Sequence, residues 1–211
     1  MKGQVLEKNR KYSDNFVQRV GQLSVPIEIK KIIAENHMKN FIDLGCGDGL
    51  IIGSIKREFP QLKVTGVDIS PRRINGLRIK FPKEKFYCAD VCNIPLNQKF
   101  DFVHSSQVIE HVEDDHLMIK EMRRLLSDQG VLFVSSVMKS FPMIYKFRNN
   151  GKFVLDPTHE REYKNPQEFL DLFKKDFRLI KSWVEPVKRN FLNFQIKIPS
   201  YYLIYGIWKK R

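Results

Sequence analysis

The sequence predicts an α/β fold in which helices cover both faces of a doubly wound, mostly parallel sheet. Two observations carry that expectation. Short apolar runs of four to seven residues alternate with amphipathic helical patterns, the rhythm of parallel strands joined by crossover helices. The first clear run, Asn40–Leu44, passes straight into three glycines at alternate positions and then into a helix. A length of 211 residues suits one domain, so residues 1–211 are read as a single unit. With 42% hydrophobic and 29% charged residues, the composition is that of a packed globule, not of a disordered or disulfide-stapled chain.

Along the chain, residues 1–25 read as a polar helical lead-in, and Pro26–His37 as a helix with Ile29, Ile32 and Ile33 inward. Strands are expected at Asn40–Leu44, Lys63–Asp68, Lys85–Cys88, Phe100–Ser105 and Gly130–Ser136. Between them, Leu50–Phe59 places Ile51, Ile52, Ile55 and Phe59 on one stripe. Ser70–Lys80 opens on a Ser-Pro pair suited to N-cap and first helical position, with Ile74, Leu77 and Ile79 as its apolar residues. His116–Leu126 carries the next apolar face, closed by a turn at Asp128-Gln129-Gly130. Periodicity then weakens. Residues 137–164 mix aromatics with bases and read as a lid or acceptor-recognition segment. A last helix starts at Asn165-Pro166-Gln167-Glu168, and strand-like runs at Phe177–Val184 and Tyr201–Trp208 close the chain.

The balance of 37 Lys and Arg against 24 Asp and Glu gives a formal charge of +13. It is uneven: residues 101–136 hold 3 bases and 7 acids, whereas residues 137–211 hold 16 bases and 7 acids. Such an excess admits nucleic acid, anionic lipid or an acidic substrate as partner without choosing among them. Three cysteines, Cys46, Cys88 and Cys92, are too few for a disulfide framework and match no common zinc spacing, so no metal ligands are assigned. With neither an apolar leader nor an apolar run near the ~20 residues of a membrane helix, a reducing, cytoplasmic setting is expected. Cys88 and Cys92 are expected to be small core residues.

The most informative segment is Asp43-Leu44-Gly45-Cys46-Gly47-Asp48-Gly49. Alternating glycines let a backbone approach a ligand closely. The pattern departs from G-x-G-x-x-G, because the third glycine arrives one residue early, and it brings Asp43 and Asp48, which suit a cationic amino or sulfonium group better than phosphate. Asp68 ends the next strand, where a carboxylate can take both hydroxyls of a ribose. Asp90 follows the third strand, placed to accept from an adenine amino group. A lone acid is as well read as a solvated strand end; three at consecutive strand ends beside this loop are not.

On these residues the sequence resembles the class I S-adenosylmethionine-dependent methyltransferases, and most closely their small-molecule branch. Asp43–Gly49 resembles the family's first motif, Val67-Asp68 its ribose acid and Ala89-Asp90 its adenine acid. Val108-Ile109-Glu110-His111-Val112 is similar to the "LEHV"-type turn after the fourth strand, and Leu126–Leu132 to the turn into the fifth. The resemblance implies a Rossmann-like seven-stranded sheet whose last strand, here Tyr201–Trp208, is antiparallel. It also implies S-adenosylmethionine as cofactor, held by Asp43, Gly45, Cys46, Gly47, Gly49, Asp68, Ile69, Asp90, Val91 and Ser106.

For the acceptor, Asp156-Pro157-Thr158-His159-Glu160-Arg161-Glu162-Tyr163 resembles a stretch that folds over the active-site mouth in some small-molecule methyltransferases, which makes His159 the candidate catalytic base. A lid-packing histidine is the plainer reading. His37 and His116 read as surface residues, His104 as packed in its strand, and His111 as a structural hydrogen-bonding residue. The Asp/Asn-Pro-Pro-aromatic signature of base N-methylation is missing after the fourth strand, where Ser105-Ser106-Gln107 stands. O-methylation of a small metabolite, sugar or lipid-linked acceptor is therefore expected, with transfer to a carbon or a carboxylate open.

Two rivals use the charge. Residues 71–88 carry six bases and one acid, and with Phe141, Tyr145 and Phe147 such bases could bind RNA through phosphate contacts and stacking. The Tyr201–Tyr205 run with Lys209-Lys210-Arg211 could instead touch a membrane surface, although a closing strand with a basic end explains it as well. A non-catalytic relative would be expected to have lost the glycine loop or Asp68, and both are intact.

Overall fold

The computed structural model describes residues 2–15, 25–139, 147–149, 152–154, 156–191 and 194–211. Helix α1 (Lys2–Asn15) and helix α2 (Ile27–Glu35) precede strand β1 (Asn40–Leu44). Then follow α3 (Leu50–Glu58), β2 (Lys63–Asp68), α4 (Pro71–Lys80), β3 (Lys85–Cys88), β4 (Phe100–Ser106), α5 (Asp115–Leu125) and β5 (Leu126–Lys139). A small hairpin, β6 (Phe147–Asn149) and β7 (Lys152–Val154), leads to α6 (Pro166–Asp171), β8 (Phe177–Phe191) and β9 (Phe194–Lys210).

Seven strands form one sheet in the order β3-β2-β1-β4-β5-β9-β8. The first five neighbours pair in parallel, and β9 lies antiparallel to both β5 and β8. The expected antiparallel last strand is therefore present, and it is longer than its apolar centre at Tyr201–Trp208. Strand alternation sorts the core onto two faces. Phe41, Phe102, Phe133 and Ile207 pack with α2, α3 and α4 on one side. Their chain neighbours Ile42, Val103, Leu132 and Trp208 pack with α5 and α6 on the other. Strands buried on both faces read as unbroken apolar runs, which is why β1 and β2 stand where the sequence placed them.

Several boundaries and burials differ from expectation. Asp128-Gln129-Gly130 lies within β5, which begins at Leu126, because the main chain extends directly after α5. Helix α5 starts at Asp115, with Asp114 as N-cap accepting from Leu117 N. Cys88 is exposed, not core, at the edge strand β3. Ile79 is 83% exposed on α4, whose inner face is made by Ile74 and Leu77. Of the aromatic and basic stretch around 137–164, Phe141, Tyr145 and Lys146 lie outside the described residues.

Candidate active site

The sheet order reverses between β1 and β4, and the chain segments leaving the carboxyl ends of β1, β2, β4 and β5 meet there. Crevices of this kind are where open α/β sheets bind ligands. After β1, Gly45 N and Cys46 N both donate to Val67 O, and the chain turns through Gly45, Gly47 and Gly49 at φ +77, +53 and +73. Those left-handed angles favour glycine. Gly45 has a second constraint, since a Cβ there would press into both methyls of Val108 in the turn after β4. Gly49 caps α3, so the loop presents backbone to the crevice and a helix start beneath it.

Asp68 stands at the carboxyl end of β2, buried, with Oδ2 accepting from Gly47 N (2.8 Å) and Oδ1 from Ser70 N (2.9 Å). Burial raises its pKa; the two backbone bonds and Arg73 oppose this, but the shift remains upward. Asp43 Oδ1 meets His104 Nδ1 at 2.7 Å, both side chains being almost fully buried. The His104 ring is stacked between Phe41 and Phe133. This buried pair underpins the loop from below. Cys46 is buried, its thiol pushed well up by desolvation. Asp90 Oδ1 accepts from Cys92 N, Ile69 O accepts from Cys88 Sγ, Val91 is buried, and Ser106 Oγ meets Ser135 Oγ at 2.7 Å. The sequence-derived cofactor residues thus gather along the carboxyl edge of β1, β2, β3 and β4.

The segment from Asp156 to Tyr163 packs on the turn after β4. Glu160 N and Arg161 N donate to Glu110 O, and Tyr163 bridges to Met138, laying the segment along the turn after β4 and the end of β5. His159 is buried there, with Nδ1 2.6 Å from Glu162 Oε1. Its ring stands 4.8 Å, centroid to centroid, from that of His111. Burial lowers the His111 pKa, and Thr158 Oγ lies 3.0 Å from its Nδ1. His37 and His116 are exposed, as their sequence positions suggested.

Helix α1 joins the two halves. Asp14 and Ser13 reach Ser70 and Asp68 at the end of β2, while Tyr12, Lys8 and Asn9 reach Asp156, Glu160 and the His111 carbonyl. Sequence reasoning missed these residues and also Glu110 and Glu162. A mostly polar helix that docks through hydrogen bonds leaves no apolar stripe to find.

With this geometry in place, the comparisons with known proteins are decisive. Residues 42–134 match the family described as "Methyltransferase domain". Those residues, somewhat under half of the chain, carry a methyltransferase domain. It is 28% identical over 195 residues to the ubiquinone biosynthesis O-methyltransferase of Pelagibacter ubique, an alignment covering 81% of this chain and 77% of that relative. It is 29% identical over 107 residues to the trans-aconitate 2-methyltransferase of Enterobacter sp. (strain 638), which covers 51% of this chain but only 42% of that protein. Its fold matches the crystal structure of N-methyltransferase NodS from Bradyrhizobium japonicum in complex with S-adenosyl-L-homocysteine, with a TM-score of 0.60 at 14% identity over 98% of this chain and 97% of that one. S-adenosylmethionine is the cofactor of this methyltransferase. The residues at the crevice fit it: an open glycine turn, and Asp68 and Asp90 at consecutive strand ends. No helix among the described residues is long and apolar enough to cross a membrane.

Proposed function

We propose that this methyltransferase acts on a hydroxyl group of a small molecule, with His159 as the base. The observation that carries the reading is the buried His159–Glu162 pair beside the turn that packs on the glycine loop. Glycine-loop backbone, Asp68 and Asp90 hold the cofactor, which supplies a sulfonium methyl whose S–C bond breaks as the acceptor's O–C bond forms. With Nδ1–H donated to Glu162, the His159 ring has its basic lone pair on Nε2. It takes the hydroxyl proton, and the Glu162 carboxylate stabilises the imidazolium that results. The buried setting excludes water, and fixed alignment of acceptor and methyl supplies most of the remaining acceleration. Helix α1 and residues 156–163 form the cover over both substrates.

The basic residues Lys99, Lys120, Arg123, Arg124, Lys210 and Arg211 line a pocket at the opposite, amino edge of the parallel strands. That position separates them from the glycine loop and favours a small-molecule acceptor over RNA. Anionic and lipid-linked hydroxyl compounds belong in the acceptor panel.

The test is His159→Ala assayed against such a panel with S-adenosylmethionine. Turnover should be abolished while S-adenosylhomocysteine affinity, read by calorimetry, stays within about twofold of the parent chain. An active mutant removes His159 from the mechanism. Label entering RNA in preference to every small hydroxyl compound overturns the acceptor class.

A further inference from the structure

We propose that Glu110, His111 and His159 form a divalent transition-metal site, most suited to zinc, on the acceptor side of the crevice. The inference rests on the O-methylation reading for its purpose, but not for its evidence. One ligand atom from each of the three residues lies within 4.8 Å of the other two, the one such grouping among the described residues. Two imidazoles and one carboxylate are a ligand set that zinc accepts with a further position left for water or substrate.

Glu110 supplies a second, independent observation. The residue is fully buried, at 0% exposure. Its Oε2 accepts from Ser136 Oγ at 2.9 Å, but its Oε1 is buried with no hydrogen-bond partner. A buried carboxylate oxygen without a donor costs several kcal/mol unless something positive meets it. Neither neighbouring ring has to spend a proton on it, because the ring protons are already committed elsewhere. Thr158 Oγ–H donates to Asp156, so the same oxygen accepts from His111 Nδ1–H. His159 Nδ1–H is directed at Glu162. With Nδ1–H given away, each ring is held in a tautomer that metal-ligating histidines adopt.

The groups behind the ligands match what metal sites need. Ligating histidines usually give the other ring proton to a carboxylate or an equivalent acceptor, which fixes tautomer and orientation. Here Glu162 serves His159 directly, and Asp156 serves His111 through Thr158. Asp156 is itself anchored by Tyr12 of α1. Burial alone would raise the Asp156 carboxyl, but the bonds from Thr158 and Tyr12 outweigh it, so its pKa is lowered and the group is a settled anion. Ligand-to-ligand distances around a tetrahedral zinc are ~3.4 Å for bonds of ~2.1 Å, so the cluster closes on an ion with small side-chain rotations.

The chemistry follows from the place. Val108, two residues before Glu110, packs on Gly45 of the glycine loop, so an ion at this cluster stands beside the cofactor crevice. An acceptor hydroxyl bound at the open position loses its proton more readily, as water does on zinc. In the metal-loaded chain His159 is then a ligand; the hydroxyl, its acidity raised by the ion, releases its proton to solvent as it binds, and its oxygen then takes the sulfonium methyl, leaving a neutral thioether. Acceptors with a second oxygen next to the reacting hydroxyl gain most, since they can chelate.

The test uses the full chain, stripped with a chelator and titrated with zinc alone against a chromophoric competitor, with no acceptor and no turnover. One zinc per chain should bind. His111→Ala, His159→Ala and Glu110→Gln should each weaken it by at least 100-fold, and Glu162→Gln, which does not touch the ion, by roughly 10- to 100-fold. The His37→Ala/His116→Ala double variant, which removes the exposed histidines, should bind as the parent does. Thermal melts with and without zinc check folding: the parent should be stabilised by zinc, and the four cluster variants much less so. No stoichiometric binding by the parent overturns the site, as does binding that survives Glu110→Gln or is lost in the surface variant. Because zinc is read directly, such a failure leaves the O-methylation reading to the His159→Ala turnover assay.

Discussion

Replacing Gly45 by alanine probes the contact that joins the glycine loop to the turn after β4. The new Cβ meets two penalties. At φ +77 a side chain is strained by ~1–2 kcal/mol. It would also stand 3.0 Å from Val108 Cγ1 and closer still to Cγ2, an overpacking worth ~1–3 kcal/mol where the backbone on both sides is fixed. The sum is a loss of about 2 to 5 kcal/mol in stability, with weaker S-adenosylhomocysteine binding because the loop must shift. Val108→Ala removes two methyls and alone costs about 1–2 kcal/mol. In the double variant most of the overpacking is relieved, Val108 Cβ alone remaining close at 3.2 Å, but the backbone strain stays. Urea unfolding of the four chains should therefore give a coupling of about 1–3 kcal/mol in favour of the double variant. Additivity within ~0.5 kcal/mol would refute the argument, and so would a Gly45→Ala chain as stable as the parent.

Two further outcomes follow from the buried acids. Asp43→Ala leaves His104 Nδ1 buried without its carboxylate and should cost ~3–5 kcal/mol in thermal or chemical unfolding, whereas Asp43→Asn, which still accepts a hydrogen bond, should cost less than half of that; equal losses would show that the pair does not act through this bond. The raised pKa of Asp68 gives a signed pH effect. Its folded-state value lies above the ordinary 3.8, so its contribution to stability is fully present below 3.8 and is lost as pH rises through the folded value. Cofactor binding runs the other way, because only the carboxylate accepts two ribose hydroxyls. Calorimetry with S-adenosylhomocysteine should show affinity falling on acidification with a midpoint above 3.8; a midpoint at or below 3.8 would contradict the assignment.

Local signals in this chain were strong wherever one residue type settles the local conformation. Ser70 and Pro71 start α4 and Asn165 and Pro166 start α6 as N-cap and first-position pairs, and each cap accepts from the backbone three residues on. The three glycines turn as their spacing implied because few other residues tolerate those angles. Signals failed where packing decides. Nothing in the pattern of β5 shows that Asp128 to Gly130 stays extended, since they fall where the register with β4 shifts, between the Phe100–Leu126 and Phe102–Val131 pairs. Ile79 fits a helical apolar pattern yet finds no partner on its side of α4.

The sequence by itself determined the doubly wound sheet, the glycine turn and the carboxylates that end consecutive strands. Period and turn chemistry are properties of neighbours along the chain, and they survive without knowledge of the fold. Only the tertiary structure brought His159 to His111 and Glu110, paired Asp43 with His104, and laid α1 against both Asp68 and Asp156. Those contacts link segments far apart in sequence through ring contacts, ion pairs and hydrogen bonds. Such bonds form because buried polar groups must be satisfied, a demand that exists only once the chain has folded and water has been excluded.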